Sequence, residues 1–75
     1  MKYWAIFFRK NGDAWQEACG DRAIIRLDGR WRRDTMHAVA QRECRNRNFN
    51  GYRLERGDSL LRLFALTPQV YEVLK

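Results

Sequence analysis

Seventy-five residues suffice for one small domain, residues 1–75, which removes only about 60% of its unfolded surface from water, so its core is thin and a staple, metal or partner surface is often recruited. Hydrophobic residues make up 45% of the chain and charged ones 32%, with three Trp, three Tyr and four Phe, a composition that excludes disorder. The formal net charge of +6 favours anionic partners in general without naming one.

The first predicted element is a strand over residues 2–10, KYWAIFFRK, rich in aromatic and β-branched side chains. Asn11-Gly12-Asp13 supplies the tight turn after it, because these residues tolerate positive φ. The return segment AWQEAC, residues 14–19, alternates Trp15 and Cys19 against Gln16 and is broken by Gly20-Asp21. RAIIRL, residues 22–27, sets Ala23, Ile25 and Leu27 on one side and Arg22, Ile24 and Arg26 on the other before Asp28-Gly29 turns the chain.

A helix is expected from Asp34, whose carboxylate can accept hydrogen bonds from the unpaired amides of a first turn. Met36, Val39, Ala40 and Cys44 recur at helical spacing, with His37, Gln41, Arg42 and Arg45 on the polar side, as far as about Asn48. Asn50-Gly51 then leads into YRLER, residues 52–56, where Tyr52 and Leu54 alternate with Arg53 and Glu55. Gly57-Asp58-Ser59 turns the chain into LLRLFAL, residues 60–66, an apolar strand stopped by Thr67-Pro68. The tail QVYEVLK reads as a last strand or a helical turn. The order β-β-β-α-β-β contains a single helix, which cannot form a core alone. It predicts an α+β domain of two layers, an antiparallel sheet with the helix across one face.

RWRRDTMHAVAQRECRNRN, residues 30–48, carries six arginines. Arg42 and Arg45 point away from the apolar stripe and are solvated whatever the function, and Arg45 and Arg47 also suit the negative end of the helix dipole. Glu43 falls near the centre of the stripe with Arg47 four residues on, so either this end of the helix overhangs the sheet and the pair is wet, or the two form a partly buried pair with a specific role; the overhang is preferred. Arg30, Arg32 and Arg33 precede the helix, where its dipole repels cations. Two readings of Trp31 stand side by side: a base-stacking residue within a basic arm, or an inward-packed anchor of a short strand flanked by snorkelling arginines. The second is preferred.

On the predicted registers, Ala23, Ile25, Leu27, Tyr52, Leu54, Leu61 and Leu63 face the helix. The reverse face then presents Ile24, Arg26, Arg53, Leu60, Arg62 and Phe64, together with Arg22, Glu55 and one side of the first strand. A mixed arginine and apolar surface of this kind fits a self-complementary dimer contact or a protein partner, with Phe64, Leu60 and Ile24 as anchors. It also fits a stacking platform for single-stranded nucleic acid.

Two cysteines, Cys19 and Cys44, are too few for a disulfide framework and imply a cytoplasmic protein. YWAIFF, residues 3–8, is too short to span a bilayer or to serve as a signal-peptide core. His37 has no second ligand at metal spacing, and no nucleophile grouping or phosphate loop is visible, so no metal, cofactor, membrane partner or catalytic role is expected. Arg56-Gly57-Asp58 is read as a strand end and a turn. The leading expectation is a small basic non-catalytic interaction protein, self-associating or bound to a protein partner through the reverse sheet face. The alternative is nucleic-acid binding through Arg30, Trp31, Arg32, Arg33, Arg42 and Arg45.

Overall fold

Trp4, Ala5, Ile6, Phe7 and Phe8 make the first strand apolar on both sides, the pattern of a strand with neighbours on either edge and cover on either face. In the computed structural model, which describes residues 2–74, β1 (Lys2–Asn11) is indeed central to a curled antiparallel sheet of six strands. Lys75 of the predicted tail lies outside the described residues.

One edge of β1 is shared by two short strands. β2 (Ala14–Glu17) returns through a turn at Gly12, where φ is +64°, and pairs with the second half of β1 from Phe8↔Glu17 to Asn11↔Ala14. β3 (Ile24–Leu27) pairs with the first half, from Tyr3↔Leu27 to Ile6↔Ile24. The other edge is taken along seven register pairs by β4 (Gly51–Gly57). The outer edge of β4 is again divided, between β5 (Phe64–Ala65) and β6 (Tyr71–Glu72). The helix α1 (Arg33–Asn46) packs across β4, so the fold is the two-layer α+β arrangement.

Residues opposite one another in an antiparallel pair share a face, so the registers put Tyr3, Ala5, Phe7, Ile25, Leu27, Tyr52 and Leu54 under the helix. Met36, Ala40 and Cys44 close over them, and Ala5, Phe7, Ala40, Cys44 and Leu54 are wholly buried. Fully burying one large apolar side chain contributes roughly 1.5–3 kcal/mol.

Several boundaries differ from the sequence expectation. The strand expected from Arg22 begins at Ile24, because Asp21–Ala23 winds into a single 3₁₀ turn that drops Ala23 into the core. The return strand stops at Glu17, not Cys19. The helix starts one residue before Asp34. Arg32 is its N-cap with no side-chain bond, and its carbonyl accepts from the Met36 amide at 3.1 Å.

At the other end, Asn48 takes a left-handed φ of 65° and donates its amide to the Arg45 carbonyl, while the Phe49 amide donates to the Cys44 carbonyl at 2.9 Å. This left-handed cap satisfies the last helical carbonyls. It also throws Phe49 back into the core, stacked on Phe7 with centroids 5.4 Å apart.

The largest departure is at residues 60–66. Only Phe64 and Ala65 form a strand, and Leu60, Leu61 and Arg62 lie in a turn closed by the Arg62 amide donating to the Ser59 carbonyl at 3.1 Å. Gly57 ends β4 there because the Arg62 carbonyl lies against it where a Cβ would sit.

Candidate interaction surfaces

The same registers assign the sheet face away from the helix to Trp4, Ile6, Phe8, Trp15, Ile24, Arg26, Arg53 and Glu55. Of the six residues expected to form one interface, the structure brings Ile24, Arg26 and Arg53 together here and places the other three elsewhere. Phe64 is directly opposite Arg56, on the helix side of the sheet, yet 64% exposed. Leu60 and Arg62 belong to the turn, and so does Leu61, which is 94% exposed and not under the helix.

This face is also not bare. Ile6 and Phe8 are only 4% and 5% exposed without belonging to the helix-side core. Cations cover the aromatic rings: Arg53 lies 5.2 Å from the Phe8 centroid, Arg26 5.9 Å from Trp4 and Lys10 5.5 Å from Trp15. Two of these cations are fixed by carboxylates. The Arg53 Nε donates to Glu55 Oε2 at 2.8 Å, with its terminal nitrogen on the same oxygen, and Lys10 Nζ donates to Glu72 at 3.2 Å. Glu55 is buried, so the pair with Arg53 is what allows a carboxylate to lie in this layer. Guanidinium planes over rings conceal apolar area while keeping their charge partly wet.

Most arginines of residues 30–48 are likewise engaged. Arg30 grips Asp28 with two bonds, Nε to Oδ1 at 3.1 Å and a terminal nitrogen to Oδ2 at 2.8 Å, while its amide also donates to Oδ1. These bonds, side chain first, pull the Asp28 carboxyl down to about 2. Because the folded value lies below the ordinary carboxylate range, the stabilisation is complete above about pH 4 and is lost as pH falls through about 2. An NMR titration should give Asp28 that midpoint, and Arg30→Ala should return it towards the ordinary range. An unchanged midpoint in the variant would show that the grip is not maintained in solution.

Arg42 pairs with Glu43 at 3.6 Å, and Arg45 donates to the Leu74 carbonyl at 3.3 Å. Glu43 and Arg47 pair at 3.1 Å with side chains only 23% and 29% exposed. The expected wet overhang is therefore a partly buried pair. Arg47 also donates to the Arg22 carbonyl and lies 6.0 Å from the Phe7 ring. Arg32 and Arg33 remain exposed and form no ion pair among the described residues. Trp31 is not packed inward in a strand. It is 38% exposed in the turn before α1, beside a concavity of about 420 Å³ whose wall includes Arg26 and Asp28.

Apolar surface is also uncovered at Leu74, which is 78% exposed, and at the β4–β5 connection. Leu60, Leu61 and Phe64 are 56%, 94% and 64% exposed, and Arg56 and Arg62 beside them are exposed and form no ion pair among the described residues. Sequence reasoning singled out Leu60, Arg62 and Phe64 but placed them within a regular strand. Their signal was an apolar run interrupted by a single arginine; Leu60 and Arg62 lie in a turn, while Phe64 pairs with Arg56 and is still exposed.

His37, expected on the polar side, instead packs its ring edge-on to Tyr52 and Tyr71, with Nδ1 2.6 Å from the Tyr52 hydroxyl. Burial first and then nearby Arg33 hold its pKa below the ordinary imidazole value, with Asp34 opposing. Tyr52 is in turn raised, chiefly by burial. Among the described residues no group of three or more His, Cys, Asp or Glu side chains is placed to hold a metal ion. None of their helices is long and apolar enough to cross a membrane. No protein-family model, curated protein or solved structure matches the chain.

Proposed function

We propose that the chain is a small non-catalytic interaction protein that docks Leu60, Leu61 and Phe64 into an apolar cleft with an acidic rim on a protein partner. The observation that supports this is the exposure of three large apolar side chains within five residues, on a chain whose other apolar sheet face is covered by its own cations. Exposed clusters of this kind are uncommon on proteins that act alone, and a few deeply inserted side chains supply most of the energy of an interface. Arg56 and Arg62, with a chain charge of +6, complement carboxylates around such a cleft and disfavour a second copy of the same basic chain. A cytoplasmic setting belongs to the same reading, supported by an exposed Cys19 and a buried Cys44 that are not joined by a disulfide.

Leu61→Asp tests it, since a substitution at an almost fully exposed position leaves stability within about 0.5 kcal/mol. A protein retained on the wild-type chain from a cell extract, then purified, is expected to bind the variant at least about 10-fold more weakly by titration calorimetry. Equal binding of wild type and variant excludes the ridge as the contact. A wild-type dimer in sedimentation that Leu61→Asp disperses would replace the acidic partner with a second copy.

A further inference from the structure

A tryptophan in a small domain is ordinarily mostly buried, and arginines just before a helix face the repulsive end of its dipole. Trp31 keeps 38% of its surface exposed, and Arg32 and Arg33 next to it lie exposed at the end of the helix whose dipole repels them. Trp31 shares its concavity with Arg26, whose guanidinium approaches the sheet through Trp4. Two carboxylates belong to the same end of the molecule, Asp28 and Asp34. Both oxygens of Asp28 are occupied by Arg30, and Asp34 is exposed and forms no ion pair among the described residues. Arg26, Arg32 and Arg33, none of them paired with a carboxylate among those residues, therefore outnumber the one carboxylate left unneutralised here. By contrast Arg42, Arg45 and Arg47 are tied to Glu43, the Leu74 carbonyl and the Arg22 carbonyl.

We infer that the junction of β3 and α1 binds single-stranded nucleic acid, with a base stacked on Trp31 and phosphates held by Arg26, Arg32 and Arg33. A ligand that matches a partly exposed indole beside several guanidinium groups carries a planar ring and regularly spaced anions, as a polynucleotide does. Stacking needs an unpaired base, because the faces of a base inside a duplex are already covered by its neighbours. This surface is distinct from the Leu60–Phe64 ridge and does not depend on it.

The test is fluorescence anisotropy with end-labelled oligothymidylate and oligouridylate of about ten nucleotides, titrated from about 50 to 200 mM salt. Three phosphate contacts predict a log–log salt slope of about −2 for a single strand. Trp31→Ala is expected to weaken binding about 5- to 150-fold with little change in slope. Arg32→Ala should reduce the slope by about 0.7, and Arg42→Ala, at a residue already paired with Glu43, should leave both unchanged. Binding of either oligomer in this pattern supports the inference, and the preferred one identifies the strand as DNA or RNA. Three results overturn it: no binding at the lowest salt, a duplex bound as tightly as the single strand, or an equal loss in Arg42→Ala. Leu61→Asp should retain oligonucleotide binding, so failure at one surface is separable from failure at the other.

Discussion

Phe7→Ala is expected to lower the free energy of unfolding by about 3–5 kcal/mol, read as a fall in the denaturation midpoint at unchanged slope. Phe7 is fully buried on the central strand, stacked on Phe49, beneath the turn that ends α1. Its loss leaves a cavity that β1 cannot close without disturbing β4 and β3 together, because both pair with it through seven and four registers. A domain of this length has roughly 4–11 kcal/mol of stability in all. The variant should therefore populate unfolded chain measurably even without denaturant. A change below about 1 kcal/mol would show that the Phe7–Phe49 stack is not part of the core in solution.

Arg53→Met should cost about 2–3 kcal/mol, at the lower end for a broken buried pair because Arg53 keeps some water contact. The harm comes from what stays behind: the Glu55 carboxylate, with a side chain only 8% exposed, loses the two bonds that neutralise it. The Phe8 ring loses its cationic cover as well. Adding Glu55→Leu to Arg53→Met should recover most of the loss, since a pair replaced by apolar groups leaves no stranded charge. If the double variant is as unstable as the single one, the geometry of the guanidinium cover, and not the pairing of the carboxylate, is what the layer requires. A thermal or urea melt of the wild type, the single variant and the double variant side by side separates these outcomes.

Much of the fold was legible in the chain. The helical spacing of Met36, Ala40 and Cys44 and the alternation of Tyr52 and Leu54 in β4 are local periodicities, and local periodicity is what a single sequence records. Asn11-Gly12 likewise marks its hairpin through a backbone preference of those residue types. The features that fix the candidate surfaces are of another kind. Leu60 and Leu61 point outwards because β4 stops at Gly57, where the Arg62 carbonyl leaves no room for a side chain. LLRLFAL has the composition of a strand, but composition does not reveal whether a neighbour exists to pair with it. The cover of Phe8 by Arg53, and of Phe49 by Arg9 at 4.6 Å, joins residues forty or more positions apart, which no periodic pattern encodes. His37, assigned by helical spacing to the polar side, packs against the Tyr52 hydroxyl and the Tyr71 ring, because on the helical wheel it lies beside Cys44 at the edge of the apolar stripe.

Both rims of the sheet are made of two short pieces, β2 with β3 and β5 with β6, and no outer strand exceeds four residues. Fibrillar stacking recruits uninterrupted segments of six or seven residues with their amides in line. A chain this rich in aromatic side chains thus presents no ledge long enough for an incoming copy to zip onto, while β1, the segment most able to self-stack, is enclosed between neighbours on either side. Resistance to amyloid growth is in this way written into the broken borders, and it would be forfeited by any change that fused two of those pieces into one continuous outer strand.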